Sequence, residues 1–201
     1  MREWVGRVGV GGRIVRARRG GLQGGFSIFE LMAVVAILAI LVLIALPVFR
    51  ASTTRAATAV LEKNTRLIDG RVSTLAGQGF NTTYRRSGVG NPNTHLSRRL
   101  EQEVVSPPTA STDDIQSLRN PVSGNSNVVN QNSINVTDPT PPALFITSGA
   151  TYRYDRIRTN PSRLAGTILV VFNNPTGQIE TFFMDEQGER STVLYTVKMN
   201  N

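Results

Sequence analysis

One acidic residue, Glu30, stands at the entrance of a long apolar segment, Phe26 to Phe49 (FSIFELMAVVAILAILVLIALPVF). No basic residue follows it within one helical turn. A charge at membrane depth is costly and is a functional hypothesis by default, so we expect the carboxylate to need a partner. The alternative is local: in the pattern Ser27-x-x-Glu30 the two side chains would satisfy backbone donors as a capping box.

Arrangements of residues that carry catalysis are missing from the sequence. It contains no GxSxG, no phosphate-binding loop and no H-E-x-x-H. There is no cysteine, His95 is the sole histidine, and neither HxxxH nor DxDxDG occurs. We therefore predict no catalytic residues, no metal site, no cofactor and no enzymatic activity.

The positive charge is concentrated at the N-terminus. Residues 1–25 hold six arginines and one glutamate, which is +5 of the formal net charge of +8, and leave +3 for the other 176 residues. A basic and aromatic patch that could contact DNA is the weaker of two interpretations; a solvated strand face is favoured. The residues of this patch are Tyr152, Arg153, Tyr154, Arg156, Arg158 and Arg163.

The apolar segment is long enough to cross a membrane. Between Leu31 and Phe49 nineteen residues carry no charge, and roughly 20 apolar residues at about 1.5 Å rise span a bilayer core. Because arginines precede it, we expect the N-terminus to stay inside and residues after 50 to be exported. Three alternatives are a buried core helix, a secretory signal peptide and an uncleaved signal anchor.

The segment Gly25-Phe26-Ser27-Ile28-Phe29-Glu30-Leu31, followed by MAVVAILAILVLIALP, resembles the class III signal of type IV pilins and type II secretion pseudopilins. The resemblance covers about residues 20–50. It includes a glycine before the cleavage point, an aromatic residue at the new N-terminus, a glutamate as fifth mature residue and a late proline. Ser27 and Phe29 depart from the commoner Thr and Ile, and the 25-residue leader is long.

The resemblance implies cleavage by a prepilin peptidase between Gly25 and Phe26, with N-methylation of Phe26. Glu30 then becomes an assembly residue that sets register by pairing with the amine of a neighbouring subunit, which offsets the burial cost of both charges. Implied partners are other copies of the chain and related pilins in a helical polymer, the peptidase, an inner-membrane assembly platform, and the membrane before assembly. The precursor would be single-pass in the cytoplasmic membrane with its C-terminal domain outside, and the product an extracellular filament.

Five segments are predicted along the chain. They are a cleaved leader at 1–25, a transmembrane or filament-core helix at 26–49, its amphipathic continuation at 50–78, a long polar loop region at 79–145 and an antiparallel sheet at 146–201. The fold class is α+β, a long helix packed on an antiparallel β-meander, which is also the pilin architecture.

Local patterns support this division. Within the first helix, Pro47 lacks an N–H and crowds the Leu43 carbonyl, so we predict a helix break there, as a bend or a partly melted turn; the alternative is a proline that is merely tolerated at the membrane edge. Apolar residues then recur at spacings near 3 and 4, and Gly77 and Gly79 are stop signals. The apolar positions are Ala57, Val60, Leu61, Ile68, Val72 and Leu75.

The last sixty residues contain four strand-like segments, ATYRYDRI, GTILVVFN, QIETFFMD and STVLYTVK, joined by short turns. The sequence alternates at Ile179, Thr181 and Phe183, and again at Val193, Tyr195 and Val197. This alternation predicts a sheet with one face on the helix and the other toward water or another subunit.

Three functions stay open at this point. The first is a major or minor pilin of a type IV pilus, and the second is a pseudopilin of a type II secretion or competence machine. The third, from another class, is a signal-anchored extracytoplasmic binding protein that never polymerises.

Overall fold

The computed structural model describes residues 26–105, 115, 118–131, 140–149, 161–192 and 194–200. The leader with Gly25, the predicted strand at 150–157 and all of the basic and aromatic patch except Arg163 lie outside them. The chain divides into two compact units, Met1–Ala45 and Leu46–Asn201.

The first element is helix α1, Ile28–Gly77, of 50 residues. Ser27 caps it: the Ser27 carbonyl accepts hydrogen bonds from the backbone N–H groups of Glu30 (3.0 Å) and Leu31 (3.1 Å). The Ser27 Oγ accepts a further bond from the Phe29 N–H at 3.3 Å. These contacts satisfy donors that the first turn would otherwise leave unpaired.

Pro47 lies inside α1, so the helix does not break at this residue, and the bend expected there stays a prediction. The helical assignment runs without interruption on both sides of it. Proline removes only its own donor from the ladder, and the bonds of neighbouring turns can hold the helix together across that one gap.

The amphipathic half of α1 contributes to the core of the second unit. Leu61, Ile68, Val72 and Leu75 are buried as predicted, whereas Val60 is 44% exposed. Their spacing by 3, 4 and 7 residues places them in one stripe. A Schellman motif ends the helix at Gly79 (φ +84°), with the Gly79 N–H donating to the Ala76 carbonyl and the Phe80 N–H to the Leu75 carbonyl.

The region 79–145 contains regular structure where a polar loop was expected. Helix α2 covers Leu96–Val105 and strand β1 covers Val128–Asn130. Three leucine and valine residues, Leu96, Leu100 and Val104, recur every fourth position and are buried, so one face of α2 packs on the core.

Five strands form one sheet in chain order. After β1 come β2 (Leu144–Ser148), β3 (Ile168–Asn173), β4 (Gln178–Phe183) and β5 (Tyr195–Lys198). A 3-10 helix, Pro161–Leu164, precedes β3. The fold class is therefore α+β, as predicted.

The sheet is mixed, which corrects the prediction of a purely antiparallel meander. β1 pairs in parallel with β2 and β2 in parallel with β3, while β3–β4 and β4–β5 are antiparallel. A turn of four residues, 174–177, joins β3 to β4, and residues 184–194 join β4 to β5. The longer connections, residues 131–143 and 149–167, return the chain to the same end of the sheet, as parallel pairing requires.

Both faces of the central strands β2 and β3 are buried. The prediction of one face toward water or another subunit is therefore wrong for β3, the one of these two strands that matches a predicted segment. Ile146, Val170 and Phe172 face the cluster that contains the α1 stripe. The opposite face forms a second cluster, in which the Arg190 guanidinium lies 4.2 Å from the Phe182 ring centroid. Its buried members are Phe145, Leu164, Leu169, Val171, Phe182 and Met184.

An ion-pair cluster joins α2 to α1. The Glu103 carboxylate, 7% exposed, accepts hydrogen bonds from Arg71 on α1 and from Arg99 Nε at 2.7 Å. Burial alone would raise the pKa of Glu103, but the two arginines outweigh it and hold the pKa below its usual 4.5. The carboxylate is thus paired well enough to be charged in the folded protein.

We predict that Glu103→Gln lowers the free energy of unfolding by about 1.5–3 kcal/mol at pH 7, the range for hydrogen bonds to charged groups. Because the folded pKa is depressed, the wild-type contribution is complete above about pH 4.5 and is lost as the pH falls through the folded value. Urea unfolding followed by circular dichroism at pH 7 and pH 3 measures both effects.

Glu189→Gln, at an exposed carboxylate, is the matched control and should change stability by less than about 0.5 kcal/mol. Equal stability losses for the two variants at pH 7 would contradict a stabilising role of the Glu103 cluster.

Candidate functional site

The N-terminal half of α1 is an exposed apolar surface. Every described side chain from Phe26 to Arg50 is exposed. An 18-residue window of this helix has a mean hydropathy of 3.2, and none of that window is buried within the chain. By length and composition, it is the one helix in the described part of the chain that is able to cross a membrane.

The size of this surface sets it apart from ordinary surface apolar residues. Soluble monomers rarely expose large contiguous apolar patches. Covering one Leu, Ile or Val side chain contributes about 1.5–3 kcal/mol, and Ile37, Ile40 and Ile44 are each more than half exposed. Contact with lipid or with another apolar helix would therefore stabilise this segment strongly, because it removes these side chains from water.

Glu30 is the single charge on this surface before Arg50. It lies in the first turn of α1, where the partial positive charge of the helix N-terminus favours a carboxylate. No described residue donates a hydrogen bond or forms a salt bridge to its side chain. The capping box is thus half formed: Ser27 caps the helix, and the Glu30 carboxylate stays available.

The apolar surroundings of Glu30 follow from helix geometry. Phe26 lies one turn before it and Val34 one turn after it, and both are exposed. Residues four apart share a face of the helix, so the carboxylate stands in an apolar strip. Covering this strip without a cation would bury an unpaired charge, which is strongly unfavourable.

Two other acidic residues, Asp185 and Glu186, make structural contacts. The Asp185 Oδ1 accepts the N–H groups of Gln187 (2.9 Å) and Glu189 (2.8 Å), and Glu186 accepts the Thr54 hydroxyl at 2.9 Å. The Asp185 contacts stabilise the turn at residues 185–189, and the Glu186 contact joins this turn to α1. Within the described ranges there is no group of three metal-binding side chains.

A cleft at the sheet edge is the feature that sequence reasoning missed. It has a volume of about 570 Å³ and lies between residues 86–89 and strand β1, with Glu101 of α2 also lining it. A strand of three residues in an Asn- and Ser-rich region has no periodicity that could have indicated it.

No protein-family model, curated protein or solved structure matches the chain.

Proposed function

We propose that this chain is a structural subunit, a major or minor pilin, of a type IV pilus-like extracellular filament. One observation carries the proposal: the segment Gly25-Phe26 to Glu30 stands at the head of a helix whose apolar side chains are exposed as far as residue 50. The resemblance of this segment to the class III signal supports it. A prepilin peptidase would cut after Gly25 and methylate Phe26.

The exposed apolar surface would be removed from water in two successive environments, the membrane and then the filament. Before assembly the bilayer covers residues 31–49, with the arginine-rich leader on the cytoplasmic side. After cleavage the same surface packs against the helices of other copies. In both states the apolar side chains of this segment would be removed from water, which stabilises each state.

Glu30 supplies the specificity that apolar packing lacks. Apolar helices can slide along one another at little cost, because every position offers a similar surface. Cleavage creates a cationic amine at Phe26, and pairing this amine with the Glu30 carboxylate of a neighbouring copy fixes one axial offset. A single buried charge pair is a recognised means of setting helix register.

Two other functions fit part of the same evidence. A pseudopilin of a type II secretion or competence machine would use the same cleavage and the same Glu30 pairing. A signal-anchored binding protein would use the apolar helix only as an anchor and would need neither.

The deciding experiment is intact-mass and N-terminal fragmentation analysis of the protein recovered from sheared cell-surface material. We expect a chain that begins at N-methyl-Phe26. A chain that begins at Met1 and stays in the membrane fraction would overturn the proposal and favour the signal-anchored protein. Filament length in electron micrographs of the same material separates a pilin from a pseudopilin.

A further inference from the structure

Among the described strands, β1 lies at one edge of the sheet and pairs with β2 alone. The hydrogen bonds show which of its residues face inward: the Asn127 carbonyl accepts from the Leu144 N–H, and the Gln131 N–H donates to the Ile146 carbonyl. In a parallel ladder the backbone groups of alternate residues point to opposite sides. Val128 and Asn130 therefore direct their N–H and C=O groups away from β2.

The outward groups of Val128 have no described partner. At Asn130 the carbonyl is occupied, because it accepts the Ser87 N–H at 2.9 Å. Asn130 is only 3% exposed, so the two outward backbone groups of half-buried Val128 are the ones open to a partner. A residue that exposes both its N–H and its C=O at a strand edge can exchange two hydrogen bonds with one residue of an antiparallel peptide.

The cleft beside this edge is held open by a polar network. The Glu101 carboxylate accepts hydrogen bonds from the Ser87 hydroxyl (2.7 Å) and from Asn130 Nδ2 (2.6 Å). It also pairs with Arg98. These contacts tie the 86–89 wall, α2 and β1 together, so the cleft of about 570 Å³ does not have to be ordered by a ligand, a cost that weakens many complexes.

Two charged residues line the cleft, Arg86 and Glu101. Glu101 is neutralised by Arg98, and Arg86, which lines the same cleft, is exposed and has no salt bridge to a described residue. A partner with a carboxylate would complement Arg86, and a guanidinium can bind a carboxylate through two parallel hydrogen bonds.

We propose that the cleft binds an extended peptide segment bearing an acidic side chain, which adds to the sheet as a strand beside β1. The backbone of the peptide pairs with Val128, and its carboxylate pairs with Arg86. The site lies entirely within the second unit and does not depend on the proposed filament function.

The test uses the full chain in detergent micelles and a fluorescein-labelled, C-terminally amidated peptide, Thr-Val-Asp-Val-Thr, followed by fluorescence anisotropy. We expect saturable binding that is absent with empty micelles. A peptide with Lys in place of Asp should bind at least about fivefold more weakly, because it places a cation beside Arg86.

Two variants locate the binding site. Val128→Pro removes an outward N–H that the sheet does not use, and edge strands tolerate proline there; we expect about tenfold weaker binding with an unchanged circular dichroism spectrum. Val128→Ala keeps the N–H and is the matched control, with affinity within about twofold of wild type. Arg86→Ala should weaken binding of the Asp peptide and abolish the preference for Asp over Lys.

Three results would overturn the proposal. They are no binding to the wild-type chain, equal affinity for the Asp and Lys peptides, and binding that Val128→Pro leaves unchanged while it folds. Concentration-dependent self-association that Val128→Pro removes would place a second copy at this edge instead of a peptide, and would overturn it too. If Val128→Pro fails to fold, the comparison of the Asp and Lys peptides on Arg86→Ala decides: a variant that still prefers the Asp peptide would overturn the proposal.

Discussion

Replacing Glu30 by alanine should nearly abolish incorporation of the subunit into filaments while leaving membrane insertion intact. The change removes one member of the proposed charge pair and leaves the Phe26 amine of a neighbour buried without a partner. Breaking a buried pair in this way costs about 3–5 kcal/mol, so incorporation should fall by at least about a hundredfold. Immunoblots of sheared filaments and of the membrane fraction measure the two pools.

Two control variants separate register from other effects of Glu30→Ala. Ser27→Ala removes the helix cap at about 1 kcal/mol and should affect incorporation only slightly. Glu189→Ala removes a carboxylate outside the apolar segment and should have no effect. Abundant filaments built from Glu30→Ala subunits would contradict the pairing role, and the N-terminal mass of each variant shows whether processing is unchanged.

Phe172→Ala should destabilise the second unit more than any surface change. Phe172 is fully buried on β3, and its ring centroid lies 5.8 Å from that of Tyr84 in a tilted contact. Deleting a buried phenyl ring leaves a cavity and costs about 3–5 kcal/mol, against a total stability of about 5–15 kcal/mol for most domains. Urea unfolding measures the loss.

The control for this prediction is Leu194→Ala, where the side chain is 44% exposed. It should cost less than about 1 kcal/mol, because little of the leucine is removed from water in the folded chain. A loss below about 1 kcal/mol for Phe172→Ala would mean that the core can collapse around the missing ring.

The sequence predicted the elements whose periodicity is strong. The amphipathic half of α1 shows a clear 3.6-residue stripe, and Leu61, Ile68, Val72 and Leu75 are buried as expected. Strands β3, β4 and β5 also match predicted segments, because β-branched and aromatic runs there end at turn residues. The end of α1 at Gly77 matches the predicted stop signals Gly77 and Gly79, and Gly79 has the left-handed φ of +84° of a C-terminal cap.

Helix α2 was missed although its signal is present. Leu96, Leu100 and Val104 recur every four residues, which is typical of a helix. The signal is short, and the region around it is rich in Asn, Ser, Pro and Gly. The loop-like composition of the surrounding sixty or so residues predicts a loop, and a helical spacing sustained over about ten residues is too short to contradict that prediction.

Parallel pairing could not have been predicted from local patterns. β2 is a continuous buried run, LFITS, and a run of this length does not show which strand it pairs with or in which direction. That choice depends on the path of residues 131–143 and 149–167 and on burial of both faces. Tertiary packing decides it, not propensity.

The candidate sites differ in the same way. Glu30 and Pro47 can be identified from the sequence alone, because one is a charged residue and the other a proline in an otherwise apolar segment. The edge cleft depends on Ser87, Glu101 and Asn130, which are far apart in the chain and adjacent only after folding. Nothing in the sequence of any one of these segments marks it as part of a site.

The order of the sheet, with each strand beside its neighbours in the chain, has a consequence for how the protein folds. No strand has to be inserted between two others that are already paired, so the sheet can grow by addition at an edge. The β3–β4 hairpin closes a loop of four residues, and the pairing of β4 with β5 and the two parallel additions close longer ones. A chain that emerges gradually, from a ribosome or across a membrane, could therefore build this sheet one strand at a time without undoing earlier pairs.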